Sequence, residues 1–390
     1  MTSTSATLTR TPRLDALTGL RWWAAFAVFL YHILIFAPLP SGVSAILGQG
    51  YMGVTFFFVL SGFVLTWSMS PSLPRSTFYW RRFARIYPSH LIALLLAIPV
   101  FYQVWPWVEP LWRKPFEPGV LSLSFPLLQG WSTDPHVLFS GNPAAWTLTC
   151  EFFFYALHPF IAMALTRFDA RGAVLFGIAA IVIAFSYRLV ALTHPDLWFS
   201  DLPPPIVRLP DFVAGMAVAW AFRQGWRPKV PVLAGMVSLG LVTGLIAVTS
   251  AMFPESGPVM FVVGFGNEFM TIACAVVIVA ITRRALEGRR SIFASRAQIK
   301  LGEWSFAFYL VHATAIYLAL TLFGLQEPSW RNLVWFAVLG VVALAAAAAL
   351  HTWVERPVER RMRAWKDRRD AARPTGAGFP RTTQSPQSIQ

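Results

Sequence analysis

Long apolar runs alternate with short polar or proline-marked breaks along the whole chain. Ten such runs stand out, at 17–37, 52–69, 88–105, 146–165, 173–192, 206–222, 230–251, 260–282, 301–323 and 331–351. About twenty mostly apolar residues reach across a bilayer as a helix. The pattern therefore predicts an all-α polytopic integral membrane helix bundle of about ten transmembrane helices. Prolines mark several connections, at 38–40, 71–74, 106–126 and 203–205. Only the connection over 106–145 is long. It is rich in Pro, Trp and Phe, with Trp107, Trp112 and Trp131 following Trp105. Either it is an aromatic belt at the membrane surface, the simpler reading, or it lies as a lid over a cavity.

Composition agrees with a bilayer setting. Of 390 residues, 56% are hydrophobic and only 13% charged, and the mean hydropathy is +0.55. Soluble domains run near a quarter charged. The formal net charge of +14 would suit nucleic acid in a soluble chain. Here its distribution points elsewhere. With the N-terminus in the cytoplasm, 26 of the 32 lysines and arginines fall in or beside cytoplasmic segments. That asymmetry predicts a multi-pass protein of the cell membrane with both termini cytoplasmic and an even number of spans. No nucleic-acid partner is expected. The first apolar run lacks a small-residue cleavage site and is read as a retained helix. The chain divides into a tail at 1–13, one membrane domain at 14–363, and a basic then disordered tail at 364–390. Cys150 and Cys274 fall in apolar runs, so neither a disulfide nor a metal site is expected.

Against this background, ionisable side chains inside the runs are costly and become functional candidates. The first run carries Arg21 and His32, eleven positions apart. On an α-helix they share one face, roughly 16 Å apart along the axis. Arg21 either lines a polar pathway or snorkels to headgroups. His32 either does chemistry or bonds to another helix. The segment FYWRRFARIYP, before the third run, holds Arg81, Arg82 and Arg85 among Tyr79, Trp80 and Tyr87. Arg82 and Arg85 share a helical face. They mark a cytoplasmic edge, or they bind a polyphosphate with a stacked purine. The fourth run, AAWTLTCEFFFYALHPF, carries Glu151 and His158 two turns apart. Glu151 either orients an imidazole such as His32 or serves as an ion-pair partner. Arg208 and Asp211, three apart, read as an intrahelical ion pair. Asn267, Glu268 and His312 sit in the eighth and ninth runs. One polar cavity shared by several helices accounts for all of these together. Ser61-Gly62 in the second run and Gly240 with Gly244 in the seventh read as helix-packing sites.

In this order the motifs resemble those of a known family, the membrane acyltransferase-3 proteins. These O-acylate O-antigens, exopolysaccharides, nodulation factors and macrolides. LDALTGLRWWAAFAVFLYH is similar to the family's first helix, with a basic residue, ten intervening positions and a histidine. GVTFFFVLSGFVL resembles its second helix, RFAR at Arg82–Arg85 its arginine pair, and WTLTCE its entry to the fourth span. RLPDFVAGM, FAFYLVH and VERPVE resemble later, weaker motifs. The likeness covers residues 14–360.

The resemblance implies an acyl-CoA donor, usually acetyl-CoA, reached from the cytoplasm, and a hydroxyl acceptor on a sugar, polysaccharide or glycosylated natural product. It makes His32 the general base; Glu151, on the fourth span, is then the catalytic candidate to orient its second ring nitrogen or stabilise the imidazolium. The resemblance implies that Arg82 and Arg85 hold the donor phosphates or keep the donor channel in shape; Arg21, on the face of His32 and nearer the cytoplasm, is read with them as donor-binding, and no metal is expected. Some relatives carry an esterase-like domain after the tenth helix, and none follows here in this sequence. A transporter or flippase for a lipid-linked or acidic solute is the alternative from another class. The absence of paired broken helices in matching halves counts against it.

Overall fold

The structure is a computed structural model that describes residues 11–70, 73–102, 114–252 and 257–372. Helices dominate. The described residues contain no β-strand, only an isolated bridge between Tyr102 and Lys114. The main helices are α1 (Asp15–Ile33), α2 (Gly53–Trp67), α3 (Arg75–Phe101), α4 (Trp146–Leu165), α5 (Ala170–Thr193), α6 (Leu209–Arg223), α7 (Val232–Met252), α8 (Gly266–Leu286), α9 (Arg296–Phe323), α10 (Leu333–Leu350) and α11 (Arg356–Ala371). Their starts follow local chemistry. Asp169 Oδ1 accepts from Gly172 N–H at 2.7 Å before α5, and Ser295 caps α9 through Gln298 N–H. Gly324, at φ +69°, takes the left-handed turn that ends α9.

Nine helices among the described residues are long and apolar enough to cross a membrane. α1 is not one of the nine, because its 19 residues include Asp15, Arg21 and His32. It nevertheless packs along α9 and α2 inside the bundle, a tenth bundle helix beside those nine. The expected span 146–165 coincides with α4. The third differs most. α3 begins at Arg75, so the arginine-rich segment is the first half of a membrane helix and not a loop before it. α5, α7 and α10 hold the periphery and turn Ile183, Leu241 and Val341 outward, each about two-thirds exposed. Apolar side chains so placed face lipid.

The interior is close-packed aromatic and aliphatic. Phe58, Phe154 and Phe212 join α2, α4 and α6, and Phe29 and Phe308 join α1 to α9. α2 and α6 meet backbone to backbone. A Cβ at Gly62 would strike the carbonyl oxygen of Phe212, and one at Gly215 that of Val59. Packing is thus the role of Gly62, as expected. Gly240 and Gly244 behave otherwise. A Cβ at either meets nothing within 4 Å, so they are not an interhelical contact in this fold.

Both described chain ends lie at one end of the bundle. Thr11 and Pro12 bond to Trp67, and α11 docks on the first turns of α3 through Thr77–Asp370, Arg81–Asp367 and Trp80–Met362. The opposite end is closed by residues 114–145. Their backbone is tied to the helices: His90 Nε2 lies 2.9 Å from Ser124 O, Tyr102 OH accepts from Gly141 N–H, and Asn142 donates to Leu310 O. Ser124, Gln129, Ser140 and Asn142 are fully buried there. Trp131 is partly exposed, edge-on to Phe153. Trp107 and Trp112, and the tail after Arg373, lie outside the described residues.

Candidate active site

Five helices line a cavity of about 130 Å³. α1 contributes Arg21, α3 contributes Arg82 and Arg85, and α4 contributes Glu151 and Tyr155. Ser61 of α2, Thr147 of α4 and Tyr309 of α9 complete its polar lining. The rest is apolar, with Phe57, Phe58 and Phe306 among the walls. Helical periodicity explains the convergence. Arg82 and Arg85 are three apart and Glu151 and Tyr155 four apart, so each pair shares a face.

The three arginines are held differently. Arg85 donates to Glu355 and, at 3.2 Å, to Glu359, and stands over the Phe306 ring. Glu355 lies in the π-helical segment His351–Glu355 that joins α10 to α11, and its side chain is fully buried. The wider turn there swings the carboxylate toward α3. Arg21 and Arg82 have no hydrogen-bond or ion-pair partner among the described residues. Arg82 stands 5.9 Å from the Phe78 ring, and its Nε is buried and unsatisfied. Glu151 accepts from Tyr155 OH at 2.7 Å, and the charges acting on it are those of Arg21, Arg82 and Arg85. With Glu355 set against Arg85, the cavity keeps two arginines against one carboxylate. An unpaired guanidinium away from water is costly, and an entering anion relieves that cost.

His32 is not in the cavity wall. It lies toward the other end of α1, where its Nδ1 is 2.9 Å from Val28 O and 3.2 Å from His312 Nε2. His312 is fully buried on α9, one turn beyond Tyr309, which does line the cavity. The imidazole pair therefore sits one helical turn deeper than the cavity wall.

A family model described as an acyltransferase domain matches residues 14–352. The chain belongs to this acyltransferase family. The acyltransferase is 34% identical to "Acyltransferase MdmB" of Streptomyces mycarofaciens, over 90% of this chain and 93% of that protein. It is 26% identical to "Peptidoglycan O-acetyltransferase OatA" of Listeria monocytogenes serovar 1/2a, over 88% of this chain and 56% of that protein. No solved structure matches significantly.

The acyltransferase thus brings Arg21, Arg82, Arg85 and Glu151 together and leaves His32 apart from them. Glu151 is bonded to Tyr155 and not to His32, whose partner is His312. His158 takes no part: its Nε2 is 3.2 Å from Thr66 Oγ1 and its ring stacks on Phe78. The single polar cavity expected from the sequence is three separate clusters, of which the His32–His312 pair is the second. The third joins α2, α6 and α8. Arg208 pairs with Asp211 at 2.9 Å as expected and also donates to Thr55, while Thr271 donates to Asp211. Tyr155, Tyr309 and Ser61 carry no charge at neutral pH, so nothing in the sequence singled out the two tyrosines.

Proposed function

We propose that the protein is an integral-membrane O-acyltransferase that moves an acyl group, acetyl in the simplest case, from acyl-CoA to a hydroxyl. The acceptor class is a sugar, a polysaccharide or a glycosylated natural product such as a macrolide. The observation that carries this reading is the pair of unpartnered arginines, Arg21 and Arg82, in one cavity. They suit donor phosphates, with Arg85 held as the wall beside them by Glu355 and Glu359. Arg21 and His32 stand roughly 16 Å apart along one helix. That separation suits a donor whose phosphates and thioester lie at opposite ends of a flexible arm. OatA's name supports acetyl transfer to a hydroxyl.

In the reaction the acceptor oxygen attacks the thioester carbonyl and its proton passes to His32. The new O–C bond forms, the C–S bond breaks, and the CoA thiolate leaves toward the arginine end; it takes a proton from solvent, and protonated His32 returns one to solvent, which restores the base. General-base help of this kind is worth about 10²–10⁴-fold. Glu151 keeps Arg21 and Arg82 spaced and offsets part of their charge when the cavity is empty. Both termini are cytoplasmic, a reading supported by the basic loops and by the two described chain ends lying at one end of the bundle.

The test is thiol release from acetyl-CoA by purified protein in lipid nanodiscs, with and without acceptor. Arg82→Gln removes a charge-assisted contact of about 1.5–3 kcal/mol, so the donor KM should rise roughly 10- to 150-fold with little change for acceptor. His32→Ala should leave a folded protein with little or no transfer. Absence of thiol release with any acyl-CoA, together with vesicle uptake of an anionic solute, would establish the transporter instead.

A further inference from the structure

We propose that His312 is the positioning partner of His32: a buried imidazole that fixes which ring nitrogen of His32 takes the proton and then shares the charge. This rests on the reading of His32 as the base. The two rings lie 4.9 Å apart, centroid to centroid, at 67°.

The hydrogen-bond chain assigns every nitrogen. His312 Nδ1 lies 2.8 Å from the carbonyl oxygen of Tyr309. A carbonyl only accepts, so Nδ1 of His312 carries the hydrogen. A neutral imidazole has one N–H, so Nε2 of His312 is a bare lone pair. That lone pair faces His32 Nδ1 at 3.2 Å. Nδ1 of His32 therefore donates, and its second neighbour, Val28 O at 2.9 Å, agrees because it too can only accept. The lone pair of His32 is left on Nε2. Among the described residues nothing is hydrogen-bonded to that atom, and the ring remains partly accessible. Nε2 is thus free to take the acceptor's proton.

In a serine-hydrolase triad a buried carboxylate holds the histidine's other nitrogen. Here, among the described residues, no Asp or Glu is within ion-pair distance of either ring. The titratable side chains facing the pair are Tyr31, edge-on to His32 at 4.7 Å, and Tyr309, 5.7 Å from His312. Phe308 stacks on His312. A neutral imidazole is a cheaper group than a carboxylate to keep in such a place. When His32 gains its second proton, the Nδ1–H···Nε2 bond becomes charge-assisted, and the proton between the rings is shared.

The test compares His312→Leu, which removes the acceptor, with His312→Gln, whose Oε1 can accept near the position of Nε2. His312→Leu should lower kcat by about 10²-fold, with donor and acceptor KM unchanged to within about twofold. His312→Gln should regain about tenfold of that loss. In nitrogen-15 spectra of the wild type, with His32 assigned from the His32→Ala sample, His32 should be the Nδ1–H tautomer. Wild-type kcat in His312→Leu, or an Nε2–H tautomer of His32 in the wild type, overturns the proposal. The spectrum decides even if His312→Leu fails to fold. If His32→Ala itself keeps turnover, the reading of His32 as base fails. If it is inactive while His312→Leu is normal, only the role of His312 fails.

Discussion

Replacing Arg85 by methionine separates a frame arginine from a ligand arginine. Its guanidinium is bonded to Glu355, whose side chain is fully buried, and to Glu359 at 3.2 Å. Removing one member of a buried pair costs about 3–5 kcal/mol, because the other charge is stranded. Arg85→Met strands Glu355, which among the described residues keeps only His351, 3.2 Å away. Glu355→Gln is milder, at about 1.5–3 kcal/mol, since Arg85 retains Glu359. The double variant leaves neither charge uncompensated and should return to within about 1–2 kcal/mol of wild type. Tryptophan fluorescence from the chain's 17 tryptophans can follow denaturant unfolding in detergent for the full cycle. The coupling should be a large part of the Arg85→Met loss. Losses that simply add, with no recovery in the double variant, would refute the argument. The donor KM of the double variant should stay near wild type, in contrast to Arg82→Gln.

Two further outcomes follow from packing and charge. Gly215→Ala forces α2 and α6 apart against the Val59 carbonyl and should cost about 1–3 kcal/mol, read as a lowered melting temperature. Gly240→Ala, which meets open space, should leave melting unchanged, and equal shifts in the two would contradict the packing described. Lys114, at the bridge to Tyr102 beyond the end of α3, has its ammonium pushed down from 10.5 to about 8 by burial, with Asp134 pulling the other way. Between about pH 8 and 10.5 the unfolded chain therefore holds more proton at this site, so wild type should gain stability with rising pH relative to Lys114→Met. A pH-independent difference in melting between the two would count against it.

Much of this architecture can be read from the sequence, because each span needs only its own residues to declare itself. Trp146–Leu165 does so to the residue. The pair between Arg208, at the N-cap of α6, and Asp211 in its first turn is equally local. Arg21, Arg82, Arg85 and Glu151 stand out because charge is expensive in an apolar run, and all four line one cavity. What stays hidden is which helix each face meets. Periodicity puts Glu151 on a polar face but cannot say that Tyr155, on the same helix, rather than His32 donates to it. Nor can it show that the ring beside His32 comes from 280 positions away. The GxxxG at Gly240 and Gly244 misleads for the same reason: spacing describes one helix, and a contact needs two.

The Arg85–Glu355 link also has a meaning in time. The two residues are 270 positions apart, so the arginine leaves the ribosome long before its carboxylate exists. Through synthesis of α4 to α10, α3 carries a charge in a membrane helix without its eventual partner. Only when the last membrane helix has turned through its π-helical segment can that charge be neutralised and α11 clasp the start of α3. A carboxylate on the turn His351–Glu355 thus sets, late in synthesis, an arginine of a pocket whose first side chain, Arg21, lies on α1.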